Sequence, residues 1–306
     1  MKLRDRTAIV TGAGGGLGRS HALMLAAQGA RIVVNDANEA SAERVAAEIN
    51  ANGGEAIGIA ASVTEENQIA AMVDRTMAAW GRVDILVNNA GILRDKSFAK
   101  MDLADFRLVL DVHLMGSVIC TKAVWEIMRQ QRHGRIVMTT SSSGLYGNFG
   151  QANYGAAKMA VVGLMQSLAL EGERHGIQVN CLAPTAATSM TKGVLSQEAL
   201  DRLAPEFVSP GLLALVGDEA PTRTILCAGA GHFARAHVTL TKGIYIGGEP
   251  ESADRVLALW DSIGDRSEEI VPAYGFTQGE RELASASGSA DGPAVSMGPA
   301  VSLARS

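Results

Sequence analysis

The chain has 306 residues, of which 47% are hydrophobic and 19% charged, and its formal net charge is −5. That length suits one α/β domain of about 250 residues with a tail, and it supplies ample material for a core. The mild acidity and the lack of a long basic run exclude nucleic acid as the main partner, because affinity there comes from neutralising phosphates. No run of about 20 uninterrupted apolar residues offers a membrane span.

Short β-branched runs alternate with longer stretches of helical apolar spacing. Residues 7–10, 31–35, 56–60, 85–88, 135–140 and 178–182 read as strands, and 18–28, 41–51, 65–79, 103–130 and 155–174 as helices. Such β-α alternation predicts a Rossmann-type doubly wound parallel sheet of about seven strands with helices on both faces. Gly29, Gly53, Gly81 and Gly176 each follow a helical run, where a left-handed cap suits glycine. Residues 1–250 read as this domain, with a lid or substrate region at about 185–220 broken by Pro205, Pro210 and Gly211. The segment 243–247 reads as a last edge strand, 251–283 as a C-terminal extension, and 284–306 as a disordered tail. Cys120, Cys181 and Cys227 form no C-x-x-C pair, which suits a reducing compartment. The N-terminus shows no signal-peptide pattern, so the expected location is cytoplasmic.

The run Thr11-Gly12-Ala13-Gly14-Gly15-Gly16-Leu17-Gly18 closes the first strand and opens the first helix. Glycines there let the backbone turn tightly and approach a pyrophosphate, while the helix N-terminus supplies free N–H groups. The strand–loop–helix context separates this from a merely flexible glycine-rich turn. Asp36 ends the second strand. Its carboxylate can accept both hydroxyls of an adenine ribose and would repel a 2′-phosphate, which predicts NAD(H) over NADP(H). The competing reading is a turn aspartate. Arg19 is the nearby cation that could soften the preference.

Tyr154 and Lys158 stand four apart at the start of an apolar helix, so they share a face, and Ser141 closes the fifth strand. A free tyrosine, with a pKa near 10, is too weakly acidic to serve as a base at neutral pH. A cationic lysine and an oxidised nicotinamide would favour its phenolate, and Ser141 would hydrogen-bond a substrate oxygen as charge develops on it. Alone, Tyr-x-x-x-Lys is a common surface pair; its place after the fifth strand reverses that reading. No His, Cys or carboxylate cluster has metal-ligand spacing.

Thr11-Gly12 with Gly16 and Gly18, Asn88-Asn89-Ala90-Gly91, Ser141, Tyr154 with Lys158, and Pro184 resemble, in order, the motifs of the short-chain dehydrogenase/reductase family. The resemblance runs over residues 3–191. It implies that Ser141, Tyr154 and Lys158 are catalytic, with Tyr154 the acid/base. It also implies that Gly12, Gly16, Leu17, Gly18, Asp36, Asn89, Ala90, Gly91, Tyr154, Lys158 and Pro184 contact NAD. Residues 89–98, 112–116, 143–154, 183–186 and 190–191 are similar to the (3R)-hydroxyacyl-CoA dehydrogenase unit of multifunctional enzyme type 2, also called 17β-hydroxysteroid dehydrogenase type 4. That likeness implies NAD-dependent oxidation of a (3R)-hydroxyacyl-CoA or a hydroxysteroid, within fatty-acid or steroid side-chain oxidation.

Two rivals stand beside this reading: an NADPH-linked 3-oxoacyl or general carbonyl reductase, and a catalytically silent dinucleotide sensor. The family's catalytic Asn is replaced by His113, which serves either through its main-chain carbonyl or only as packing. The acidic residue usual after the third strand is Ser62, and the threonine contact after Pro184-Thr185 falls on Thr188 or Ser189. Arg94 and Lys96, after the fourth strand, read either as ligands of a CoA diphosphate or as a solvated loop. The apolar helices at 103–130 and 155–174 predict a homodimer or homotetramer.

Overall fold

The computed structural model describes residues 3–187 and 196–287. The chain divides into two compact units, Met1–Ala236 and His237–Ser306. The expected boundary after residue 250 thus falls within the second unit.

In the first unit, eight strands form one sheet in the order β3-β2-β1-β4-β5-β6-β7-β8. The strands are β1 (Thr7–Val10), β2 (Arg31–Asp36), β3 (Glu55–Ala60), β4 (Ile85–Asn88), β5 (Gly134–Thr139), β6 (Ile177–Thr185), β7 (Ile225–Gly229) and β8 (His232–Ala236). All neighbours run parallel except β7 and β8. The parallel connections carry helices α1 (Gly16–Ala27), α2 (Glu39–Ala51), α3 (Glu66–Trp80), α4 (Leu103–Leu110), α5 (Gly116–Gln131), α6 (Ser142–Tyr146), α7 (Ala152–Gly172), α8 (Gln197–Arg202) and α9 (Ser209–Val216).

Alternation along the strands feeds two core layers. Ala8, Val10, Ile32 and Val34 pack towards α1, α2 and α9, whereas Ile9, Val33 and Leu86 pack towards α3, α5 and α7. The four capping glycines all have positive φ, between 68° and 92°. Below the sheet, the fully buried Asp84 accepts hydrogen bonds from Thr7 N at 2.9 Å and from Arg82 Nε at 2.7 Å, pinning β4 to β1. Strand order reverses between β1 and β4, and the glycine loop after β1 therefore faces the crevice where such sheets take their ligands.

Three expectations change. The last strands are β7 and β8, not 243–247: residues Ala230 and Gly231, with φ of 50° and 75°, make the tight two-residue turn that a right-twisted hairpin needs. Part of the expected lid is core, since Leu212, Leu215 and Val216 of α9 are buried against α1. Thr188, Ser189, Met190 and Thr191 lie outside the described residues. The tail begins later than 284, because a helix runs from Phe276 to Ala286; residues 288–306 lie outside the described set.

The run 103–131 is long and apolar enough, by length and composition, to cross a membrane. Its inward face, Val109, Cys120, Val124 and Met128, is nevertheless buried within the fold.

The second unit adds an antiparallel bridge between Leu240 and Ile270 and helices α10 (Ser252–Ala258), α11 (Trp260–Ile263) and α12 (Phe276–Ala286).

Candidate active site

The glycine loop is shaped by close approach. Gly12, at φ +62°, lies where a Cβ would come within 2.8 Å of the Ala90 Cα, and a Cβ on Gly18 would reach 2.6 Å from Asn89 Nδ2. Gly15, by contrast, has nothing within 4 Å of its missing side chain, and no side chain caps the N-terminus of α1 behind it. Uncapped N–H groups facing an open cradle suit an anion. Asn89 holds the loop in place, its Nδ2 donating to Thr11 O at 2.9 Å and to Gly12 O at 3.2 Å. The Thr11 hydroxyl accepts from the backbone N–H groups of Asn89 and Ala90, both at 3.0 Å. We expect Gly12→Ala to destabilise the fold by about 2 kcal/mol or more, because it combines a strained left-handed φ with a backbone clash. A thermal melt within a degree of wild type would contradict this packing argument.

Asp36 sits at the end of β2, its Oδ2 accepting from Gly14 N at 3.0 Å and its Oδ1 from Asn38 N at 2.9 Å. A carboxylate has about four acceptor sites, so capacity remains for two hydroxyls. Arg19 is committed elsewhere: its Nε donates to Glu48 at 2.8 Å and its Nη2 pairs with the same carboxylate. Arg44, not singled out in the sequence, donates to the Gly14 carbonyl at 2.8 Å.

At the far end, Ser141 caps α6, its hydroxyl accepting from Ser143 N at 3.2 Å. Tyr154 and Ser141 line the same part of the cleft. The Lys158 ammonium lies 5.5 Å from the Tyr154 ring centroid and donates to Thr139 O at 2.6 Å. Burial holds the Tyr154 hydroxyl above its ordinary pKa; the neighbouring Ser141 hydroxyl works in the opposite direction and does not overcome it. Burial also pushes Lys158 down to about 7.

Asn153, invisible as a functional residue in the sequence, is fully buried and sets the entry of α7. Its Nδ2 donates to Arg94 O at 3.0 Å, and its Oδ1 accepts from Tyr154 N at 2.7 Å. Thr140 Oγ1 donates to Lys158 O at 2.6 Å, fixing the next turn.

His113 stands in the π-turn Asp111–Met115 that interrupts the long helix. Such a turn re-aims side chains and recurs at functional sites. The imidazole is buried, edge-on to Tyr154 at 5.2 Å between ring centroids, and its Nε2 lies 2.8 Å from Ile92 O. Burial, and then the charge of Lys158, hold it down to about 3, so the ring is neutral. A Cβ on Gly91 would collide with this ring. The His113 carbonyl accepts from Ser117 Oγ at 2.6 Å.

One cleft of about 680 Å³ unites these groups. Gly12, Gly16, Leu17, Gly18, Asp36, Asn89 and Gly91 line one part; Ser141, Tyr154, Lys158, His113 and Pro184 line the other. Ala90 is not on the wall and acts through its backbone bond to Thr11. Leu93, Phe149 and Ala186 make the mouth apolar. Arg94 and Lys96 are absent from it: Arg94 pairs with Asp105 at 3.6 Å, and Lys96 with Asp102 at 2.9 Å and Asp105 at 3.3 Å. The ion-paired loop, rather than a diphosphate clamp, is what this geometry shows.

The model of the short chain dehydrogenase family matches residues 6–199. The chain belongs to the short-chain dehydrogenase family. It is 44% identical over 275 residues to a short-chain type dehydrogenase/reductase of Mycobacterium tuberculosis, covering 87% of this chain and 96% of that one. It is 41% identical over 280 residues to peroxisomal multifunctional enzyme type 2 of Drosophila melanogaster, covering 87% of this chain but 46% of the relative. A structure of the full-length Drosophila enzyme matches with a TM-score of 0.79 at 35% identity, over 92% of this chain and 49% of that chain. A 7α-hydroxysteroid dehydrogenase complexed with NADH and 7-oxo glycochenodeoxycholic acid matches with a TM-score of 0.70 at 31% identity, over 75% of this chain and 95% of the other. The chain thus spans about half the length of the multifunctional enzyme. As a short-chain dehydrogenase it is an oxidoreductase of CH–OH groups that binds a nicotinamide dinucleotide.

Proposed function

We propose that this short-chain dehydrogenase oxidises the 3-hydroxyl of a (3R)-hydroxyacyl-CoA to the ketone with NAD. The observation that carries the reading is the single cleft holding the glycine loop and Asp36 at one end and Ser141, Tyr154 and Lys158 at the other. The likeness to multifunctional enzyme type 2 supports the thioester. The likeness to a steroid dehydrogenase keeps a hydroxysteroid as the second reading. An intact trio weighs against a silent dinucleotide sensor.

The dinucleotide would lie with its phosphates at the open Gly15 cradle, its adenine ribose on Asp36, and its nicotinamide end towards Tyr154. When bound it supplies the hydride acceptor and, oxidised, a positive charge. The chain's own groups do the rest. Ser141 Oγ holds the substrate oxygen. Tyr154 Oη accepts the hydroxyl proton as the C–H bond gives up its electron pair, leaving a C=O. Lys158, charged, favours the Tyr154 phenolate, the form that can take this proton. Asn153 and Thr140 keep both side chains on one helix face.

Asp36→Ser is expected to raise the KM for NAD roughly 10- to 100-fold, the size of losing hydrogen bonds to a charged group. Arg44, already beside Gly14, would then favour NADP. Equal use of NAD and NADP by the wild type would overturn the assignment of Asp36. The substrate is tested by offering the (3R) thioester, its (3S) isomer and a 17β-hydroxysteroid with each cofactor; turnover of the steroid alone would shift the reading to the second substrate.

Leu103, Leu108 and Met115 in and after α4, with Met159 and Leu170 on α7, are large apolar side chains left exposed. We propose that they cover one another in a homodimer or homotetramer, in the cytoplasm, where Cys120, Cys181 and Cys227 stay free thiols. Light scattering that finds a monomer at assay concentration would reject the assembly.

A further inference from the structure

The loop after β4 carries three charges in a row, Arg94, Asp95 and Lys96, and only the middle one lines the catalytic cleft. The two cations are neutralised away from it, Arg94 by Asp105 and Lys96 by Asp102 and Asp105. Asp95 has no ion pair among the described residues. Its Oδ2 accepts from the neutral Gln151 amide, whose Nε2 lies 2.7 Å away.

The carboxylate is held in that place. Each residue of the run is bonded to the segment that enters α7. Asn153 Nδ2 donates to Arg94 O at 3.0 Å, Gln151 to Asp95, and Lys96 N to Gly150 O at 2.9 Å. The Gln151 amide is itself oriented, its Oε1 accepting from Ser143 Oγ at 2.8 Å and from Asn148 Nδ2 at 3.1 Å. Its Nε2 is thereby left to face Asp95. The negative charge stands at the Tyr154 end of the cleft, on a wall shared with apolar Leu93 and Phe149. It reaches the tyrosine: after burial, Asp95 is the other influence that raises that hydroxyl above its ordinary pKa. Among the described residues the wall has one cation, Lys158, and its buried ammonium is bound to Thr139 O.

A substrate that brings its own carboxylate to this end meets a like charge between low-dielectric walls, with no free cation to offset it. A thioester or ester of the same acid is neutral at its reacting end and escapes that penalty.

We propose that Asp95 is a specificity-determining residue that bars free hydroxy acids and admits alcohols whose acid group is masked as a thioester or ester. The proposal deepens the hydroxyacyl reading of the cleft and rests on it. A carbon skeleton that starts as a free acid would then need a thioester-forming reaction before this oxidation.

The test uses the full chain, NAD and two alcohols of one skeleton, (3R)-hydroxybutyrate and its methyl ester. Wild type is expected to show a kcat/KM for the ester roughly 10- to 100-fold above that for the acid. Asp95→Asn keeps an acceptor for Gln151 and removes the charge, and it is expected to shrink that ratio about 10-fold, through the KM of the acid. A second readout needs no turnover. Acetoacetate and methyl acetoacetate, titrated against the fluorescence of bound NADH, should show the same preference and the same loss of it in the variant. A binding preference without turnover would uphold the role of Asp95 while rejecting the proposed oxidation. An unchanged ratio in a variant that melts like wild type would reduce Asp95 to a tether between two loops and overturn the proposal. Equal handling of acid and ester by wild type in both readouts would overturn it too.

Discussion

Tyr154→Phe is expected to lower kcat by about 10³-fold, the scale of losing a positioned acid/base, with little change in cofactor affinity or melting temperature. The substitution removes one oxygen and keeps the ring that packs edge-on against His113. The Ser141 hydroxyl stays neutral at ordinary pH and is a very weak base, and His113 is held down to about 3 with its Nε2 occupied at Ile92. A variant that kept most of its kcat would remove Tyr154 from the mechanism.

Lys158→Met is expected to act in opposite directions on activity and stability. Loss of the charge that favours the Tyr154 phenolate, the form able to take the proton, should lower kcat/KM by roughly 10²-fold or more. Stability should rise. Lys158 titrates near 7 when folded, against an ordinary value of 10.5, so between those limits the unfolded chain binds more protons and folding becomes more favourable as pH rises. The penalty of burying this ammonium is therefore complete below pH 7 and fades towards pH 10.5. Methionine fills the same volume without the charge, so the variant should exceed wild type by a few kcal/mol in denaturant melts at pH 6 and lose that advantage by pH 10. A gap independent of pH would contradict the assigned burial of Lys158 in the cofactor-free state.

Much of this site was legible because its chemistry is local. The glycine loop, Asp36 and the Tyr154–Lys158 pair each sit within one strand–loop–helix passage, where spacing along the chain translates directly into spacing on an element. What could not be read depends on partners distant in sequence. Arg94 and Lys96 look like free cations until the loop is seen to fold back on Asp102 and Asp105. Asn153 looks like one more polar residue before a tyrosine, and only its burial against Arg94 O shows that it sets the helix entry. Pro210 and Gly211 suggested a broken, mobile segment, yet proline in a first turn has no N–H bond to lose, and α9 is a buried helix. The hairpin of β7 and β8 was missed because alanine at positive φ in its turn leaves no compositional mark.

The most direct test of the account follows NADH absorbance as purified protein meets NAD and a (3R)-hydroxyacyl-CoA. NADH is expected to accumulate with the (3R) thioester, much more slowly with the (3S) isomer, and scarcely at all when NADP replaces NAD. No NADH from any of these alcohols, in a preparation that still binds NAD, would contradict the proposed reaction and leave the cleft a site for dinucleotide alone.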